Sequence, residues 1–394
     1  MKAKFKIFCT ITVLFIACTN NTVIIKNENK GELHASVRLE QKNQKIFNLD
    51  NNTAPQPTYI QLYMGRDKKL YFTFLNKFNN SIYFYDYNSL SFIQKITWER
   101  KGSNSIINIA GYHIKSLDSI YLYNKIETEV KLGNANGKIL KKMSLKGNTN
   151  NKYWCLNYPQ YNPQTVTPFI ETKNEILLTG FFFGSIPDSL ISNFKYTARF
   201  NFNLTKLNFD FKYPVELYGS NYNWEGELFT IVYSDLDSSG EKLVLSFPVS
   251  HNLYLVDLNN GKYKKVYGGS NSAEAISSLN KYAKRTSNQE ILANFLKQDV
   301  YAAIKYDKYR KVYYRFLLKA LPNNIKNMDW KKKPINVIIM DENFKYLGET
   351  IIGTGEEWHW ENSFITEEGL NIEYIEKNYD EVNLTLKIFT LRSI

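Results

Sequence analysis

Cysteine and histidine are scarce in this 394-residue chain, which holds three of the first and four of the second. His34, His113, His251 and His359 are scattered, without metal-ligand spacing such as H-E-x-x-H, and no CxxC pair is present, so no metal site is expected. A phosphate-cradling glycine loop and a G-x-S-x-G elbow are also missing, and no cofactor is expected. No apolar run reaches twenty residues, so no segment has the length of a spanning helix. Aromatic residues, by contrast, are plentiful: 29 Tyr and 25 Phe together outnumber the 50 Lys and Arg. Such rings suit a pleated, half-buried surface and point to β-structure. With 43% hydrophobic and 22% charged residues, the chain can form a real core and is not a disordered or fibrous polymer.

The N-terminus reads as an export signal. Lys2, Lys4 and Lys6 precede an apolar run from Ile7 to Ala17, which is short for a spanning helix but suits a signal peptide. The run stops at Cys18, followed by the polar Thr19, Asn20 and Asn21. A small residue before a cysteine resembles a bacterial lipobox, in which the thiol is acylated and becomes the first residue. Residues 1–17 are therefore expected to be a lipoprotein signal peptide, 18–32 a flexible tether and 33–394 the folded domain. Cys9 leaves with the signal and Cys18 is capped, which leaves Cys155 without a partner for an intrachain disulfide. Two or three acyl chains give stable membrane anchoring. The absence of an acidic cluster after Cys18 favours a lipid anchor in the outer membrane, facing the periplasm.

From Gly31 onward, short alternating strands recur in two hairpin types. The first is an apolar strand, a polar turn and an aromatic strand. It occurs six times, at 58–75, 106–124, 169–183, 230–247, 302–318 and 363–377. The second pivots on a single Asp or Asn and follows the first five: Asp86, Asn134, Asn201, Asp257 and Asp341. Short carboxylates and amides bond their own backbone two residues on, which suits a tight turn. The sixth hairpin is followed by one terminal strand, 384–391, whose missing partner is the early strand within 34–50. Five complete units and one split between the termini describe a six-bladed β-propeller whose closing blade is shared by the N- and C-terminal strands. At about 60 residues per unit the blades are longer than usual, with the excess in loops. A two-sheet sandwich does not account for the split unit.

Two connections interrupt the period. Lys146 to Pro168 is rich in Asn, Pro and Tyr and reads as an ordered aromatic loop. Residues 272–298 read as a short helical insertion, the only helix expected: Ile276, Leu279 and Ala283 fall on one face, and Ser287 with Glu290 forms a capping box.

The stretch YDKYRKVYYRF (Tyr306 to Phe316) is similar to the most recognisable motif of a family of uncharacterised Bacteroidota lipoproteins, a domain of unknown function with a TolB-like six-bladed propeller fold. NNSIYFYDYNSLSFIQKITWERKGSNSI (Asn79 to Ile106) resembles that family's first blade, although Lys101-Gly102-Ser103-Asn104 departs from a glycine-proline-asparagine type of turn. GTGEEW (Gly353 to Trp358) and EEGL (Glu367 to Leu370) also fit. The resemblance covers nearly all of the mature chain. It implies fold and export, and no activity.

Two clusters are candidates for chemistry. In Glu356-Glu357-Trp358-His359-Trp360-Glu361, alternation puts Glu357, His359 and Glu361 on one face, suited to a cation or to acid–base work, while Trp358 and Trp360 suit a sugar face. The bland alternative is a solvated rim loop. In the second cluster, Arg310, Tyr313, Tyr314 and Arg315 lie near Asp307. They offer bidentate anion binding and stacking, or else a blade-to-blade network that fixes the ring. Between Lys281 and Lys345 there are 15 Lys or Arg against 6 Asp or Glu. This basic excess suits anionic lipid, acidic glycan or an acidic partner. Nucleic acid is not an expected partner for an exported chain. The reading is a monomeric, non-catalytic lipoprotein that presents a rim or channel to a protein or glycan partner. The alternative is a carbohydrate-active or other hydrolase working with Glu357, Glu361 or His359.

Overall fold

A computed structural model describes residues 22–102, 104–146, 154–183, 186–219, 222–281, 286–322, 329–376 and 382–394. Residues 1–17, the expected signal peptide, and Cys18 lie outside the described residues, as does Ala283. Six four-stranded antiparallel sheets follow one another along the chain. Blades 1 to 5 span Ile60–Thr97, Ile109–Ser144, Phe169–Lys212, Tyr233–Tyr267 and Val300–Thr354. Blade 6 takes Trp358–Thr366, Gly369–Tyr374 and Asn383–Ser393, and is completed by the early strand Val37–Asn48.

That closing strand is 12 residues long and pairs from Val37 opposite Ser393 to Asn48 opposite Asn383. Joining the two ends of the chain removes two open sheet edges. Within a blade, burial falls from the middle strands outwards. In blade 1, Ser81–Asp86 is buried throughout, whereas all but one residue of the outermost strand, Phe92–Thr97, is exposed. Four of the five turn pivots bond the amide two residues on, as the sequence implies. Asp86 Oδ1 accepts from the amides of Asn88 and Ser89, and Asp341 Oδ1 from those of Asn343 and Lys345, all at 2.8–2.9 Å. Asn134 and Asp257 make the same kind of turn, while Asn201 Oδ1 accepts from the amides of Thr205 and Lys206 and so closes a wider one.

The helical insertion is smaller than expected. Ser287 and Glu290 do form the capping box, but the helix runs only over Asn288–Leu296. Ile276–Ser277 is instead a short strand, antiparallel to Ile24–Ile25. Three more one-turn helices stand outside that region, at Asp188–Ile191, Val215–Tyr218 and Glu227–Thr230. The pairing of Ile24–Ile25 falls within residues 18–32, expected to be a flexible tether, and fixes part of that stretch to the ring. Asn27 Nδ2 donates to the carbonyls of Ser270 and Ala273 at 2.8 and 3.0 Å, so the chain is docked on the ring from Val23 onwards. Ile25 packs against the core and the Asn27 amide caps carbonyls, while Ile24 stays more than half exposed. Among the described residues, no helix is long and apolar enough to cross a membrane.

Candidate functional site

The long aromatic connection between blades 2 and 3 closes the axis of the ring. Thr165 reaches three blades at once. Its hydroxyl accepts from the Ile60 amide of blade 1 at 2.8 Å and donates to Asn362 Oδ1 of blade 6 at 2.7 Å. Its carbonyl accepts from Lys305 Nζ of blade 5, also at 2.8 Å. Only a residue on the axis can touch the first strands of blades 1, 5 and 6 together. Tyr161, Pro163 and Val166 bury around it. Gly111, on the first strand of blade 2, makes room: a methyl there would meet Pro163 Cβ at 2.6 Å.

Beside this plug, the first strand of blade 6 bulges. His359 pairs with Glu373 and Ser363 with the neighbouring Ile372, so Trp360, Glu361 and Asn362 leave the ladder. A bulge re-aims side chains, and here it separates the run into different roles. Glu373, almost fully buried, accepts from the Gln56 amide at 2.8 Å, from Asn362 Nδ2 at 2.6 Å and from His359 Nδ1 at 2.9 Å. His359 Nε2 then faces Glu361 at 3.8 Å. Burial works against a charge on His359, but the Glu373 hydrogen bond and the charges of Glu373 and Glu361 outweigh it and raise the imidazole pKa. Burial raises the Glu361 carboxyl above the usual carboxylate range, and the charge of Glu373 adds to the rise.

Trp360 and Glu361 line a pocket of about 210 Å³ at the mouth of the plugged axis. Its walls come from the plug, from Glu227–Thr230 and Asn288–Leu296, from the start of blade 5 and from Trp330. Glu356 is exposed, and neither it nor Glu357 is part of this wall. Trp358 turns away into the core, where its ring lies 5.1 Å from that of Tyr374. Hence the expected convergence of several carboxylates reduces to Glu361 from this run, joined by Glu227, which the sequence did not single out. A larger cavity of about 440 Å³ lies between the turns of blades 1 and 2. Its charged groups are partnered within it, Arg66 with Asp118 and Asp67 with Tyr71, and no predicted residue faces it.

The Arg310–Arg315 cluster stitches blades together. Arg310 donates to Asp307 Oδ2 at 3.0 Å and to the Glu367 carbonyl of blade 6 at 2.6 Å. Tyr313 is buried, and the buried Tyr314 donates to Asp307 at 3.3 Å. Arg315 is fully buried and donates to Ser246 Oγ and the carbonyls of Ser250, His251 and Gly268 in blade 4, at 2.8–3.2 Å. Its guanidinium stacks 3.9 Å from the Tyr301 ring centroid. Burial pulls its pKa down to about 10. With its donors taken by blade 4, Arg315 is withdrawn from the candidate ligand set.

The basic excess at 281–345 is not one exposed surface either. Lys305, Arg315 and Lys333 are buried, and Lys319 pairs with Asp299 at 2.9 Å. Lys333 donates to the carbonyls of Phe295 and Gln298 at 2.9 and 2.7 Å and caps the C-terminal end of the helix Asn288–Leu296. Among the described residues, no group of three His, Cys, Asp or Glu is placed to hold a metal ion.

Residues 36–351 match the model of the family described as Domain of unknown function (DUF4221). The chain belongs to that family. A crystal structure of a DUF4221 member from Bacteroides vulgatus ATCC 8482 superposes with a TM-score of 0.77 at 18% identity, covering 91% of this chain and 99% of that one. The "Putative exported protein" of Bacteroides fragilis NCTC 9343 superposes at 0.51 with 11% identity, covering 90% of this chain and 95% of its own. Among curated proteins there is no match. These likenesses establish the propeller for this DUF4221 chain. The site rests on its own geometry.

Proposed function

We propose that this DUF4221 propeller is an exported, lipid-anchored binding protein of the outer membrane, periplasm-facing, that holds a small ligand in the mouth pocket without transforming it. The observation that carries this reading is the bulge, which frees Trp360 and Glu361 from the ladder and turns them into a walled pocket on a plugged axis. A plug bonded to blades 1, 5 and 6 makes a rigid floor, and rigid floors suit recognition. The signal-like N-terminus, Cys18 and the exported structural neighbour support the location. From a lipidated Cys18 to the docked Val23 the chain reaches at most about 18 Å, which would hold the ring against the bilayer.

A hydrolytic reading has one observation in its favour: a carboxyl with a raised pKa, as at Glu361, suits a general acid. Incubation with a panel of oligosaccharides, monitored both for reducing-end release and for quenching of tryptophan fluorescence, separates the two. Quenching without release supports binding, and release abolished by Glu361→Gln replaces it with hydrolysis. For the anchor, Cys18→Ser is expected to move the protein from the membrane to the soluble fraction. Retention at the wild-type level would refute lipidation.

A further inference from the structure

The mouth pocket has a definite chemical bias. Two of its wall residues, Glu227 and Glu361, are carboxylates, and no Lys or Arg is in the wall. The cations that face Glu361 are His359 on its own strand, 3.8 Å away, and Lys331 beside Trp330, and neither lines the pocket. The rest of the wall is apolar apart from the Asn162 and Gln164 amides and the Tyr hydroxyls, and Tyr233, Trp330 and Trp360 contribute rings to it, whereas the Tyr301 ring is already stacked by Arg315. Ring faces and carboxylates attract the same kind of group, a cation.

Trp360 is 4% exposed and its indole nitrogen is sealed within the protein, so the ring offers the pocket its face and not a donor. At about 210 Å³ the pocket is smaller than the roughly 300–1,000 Å³ of drug-sized sites, so it suits a short chain or a single ring.

We infer that the mouth pocket binds a small organic cation, a primary amine or quaternary ammonium, with its charged group against Glu361, Glu227 and the aromatic faces. The inference rests on the binding reading above and narrows it to one ligand class.

Matched pairs test it on the folded, full mature chain. Choline and 3,3-dimethylbutan-1-ol have the same shape and hydroxyl and differ in charge, and glucosamine and glucose form a second pair. Binding is followed by tryptophan fluorescence and titration calorimetry. Each cation is expected to bind at least roughly tenfold more tightly than its neutral partner. Glu361→Gln and the rim variant Glu227→Gln should each erode that preference, while Glu241→Gln on an exposed turn of blade 4 keeps it. Equal or tighter binding of the neutral members would overturn the cation assignment and leave the binding reading standing. Failure of all four probes would also overturn it. The broader reading is then judged separately: a thermal-shift screen of neutral and anionic small molecules that yields no hit sensitive to Trp360→Ala refutes it as well.

Discussion

The Thr165 hydroxyl donates to Asn362 Oδ1 at 2.7 Å, tying the axial plug to the bulge that builds the pocket. The same oxygen accepts from the Ile60 amide, so one hydroxyl satisfies two buried groups. Thr165→Val keeps the shape and removes both bonds. It is expected to cost about 1–3 kcal/mol, the usual price of orphaning a buried polar group. Urea unfolding at unchanged m-value measures this. A loss below about 0.5 kcal/mol would mean that water or a neighbour replaces the hydroxyl.

Gly111 tests whether the plug is seated as described. Its added methyl would lie 2.6 Å from Pro163 Cβ, closer than van der Waals contact allows, and both partners are on constrained backbone. Gly111→Ala should therefore shift the plug, destabilise the fold by about 1–3 kcal/mol and expose the 156–168 segment to protease. A variant as stable and as resistant as wild type would show that the plug has room to move.

Arg315 is a third test, because two substitutions separate charge from geometry. Its fork reaches Ser246, Ser250, His251 and Gly268 together, which the single ammonium of lysine cannot match. Both Arg315→Lys and Arg315→Met are expected to lower the thermal midpoint, by several degrees for each 1–2 kcal/mol lost. A wild-type midpoint in the Arg315→Lys variant would show that the fork does not brace blade 5 against blade 4.

These residues also show what the sequence could and could not convey. The six blades and their closure were legible, because alternation and the Asp or Asn pivots are local: Asp86 bonds amides two and three residues away. The motif at Tyr306–Phe316 was visible, but its burial was not. Nothing local distinguishes Arg315, sealed under blade 4, from Glu361, freed by a bulge, since each lies on a strand among aromatics. The plug was legible only as an ordered loop. Thr165 acquires its role through partners 105, 140 and 197 residues away, and no spacing encodes that. Docking of Ile24–Ile25 on Ile276–Ser277 is equally non-local, and the short alternation there fits a helix face as well as a strand.

Acid stability offers a test away from the pocket, on the first strands of blades 2 and 3. His113 Nε2 lies 2.7 Å from a Glu171 carboxylate oxygen, and Lys115 pairs with the other oxygen. The His113 hydrogen bond leads, burial opposes it, and Lys115 assists, which pulls the Glu171 pKa down to about 2. A carboxyl whose pKa is depressed by folding holds its proton more weakly when native than when unfolded. Its stabilisation is thus fully present above the unfolded value near 4.5 and is lost as pH falls through the native value near 2. Glu171→Gln removes the titration. The stability difference between wild type and this variant should shrink as pH falls below about 4.5 and approach its minimum near pH 2. Denaturant midpoints taken at several pH values trace that curve. A difference that does not change between pH 5 and 2.5 would show that Glu171 is not held charged by His113 and Lys115.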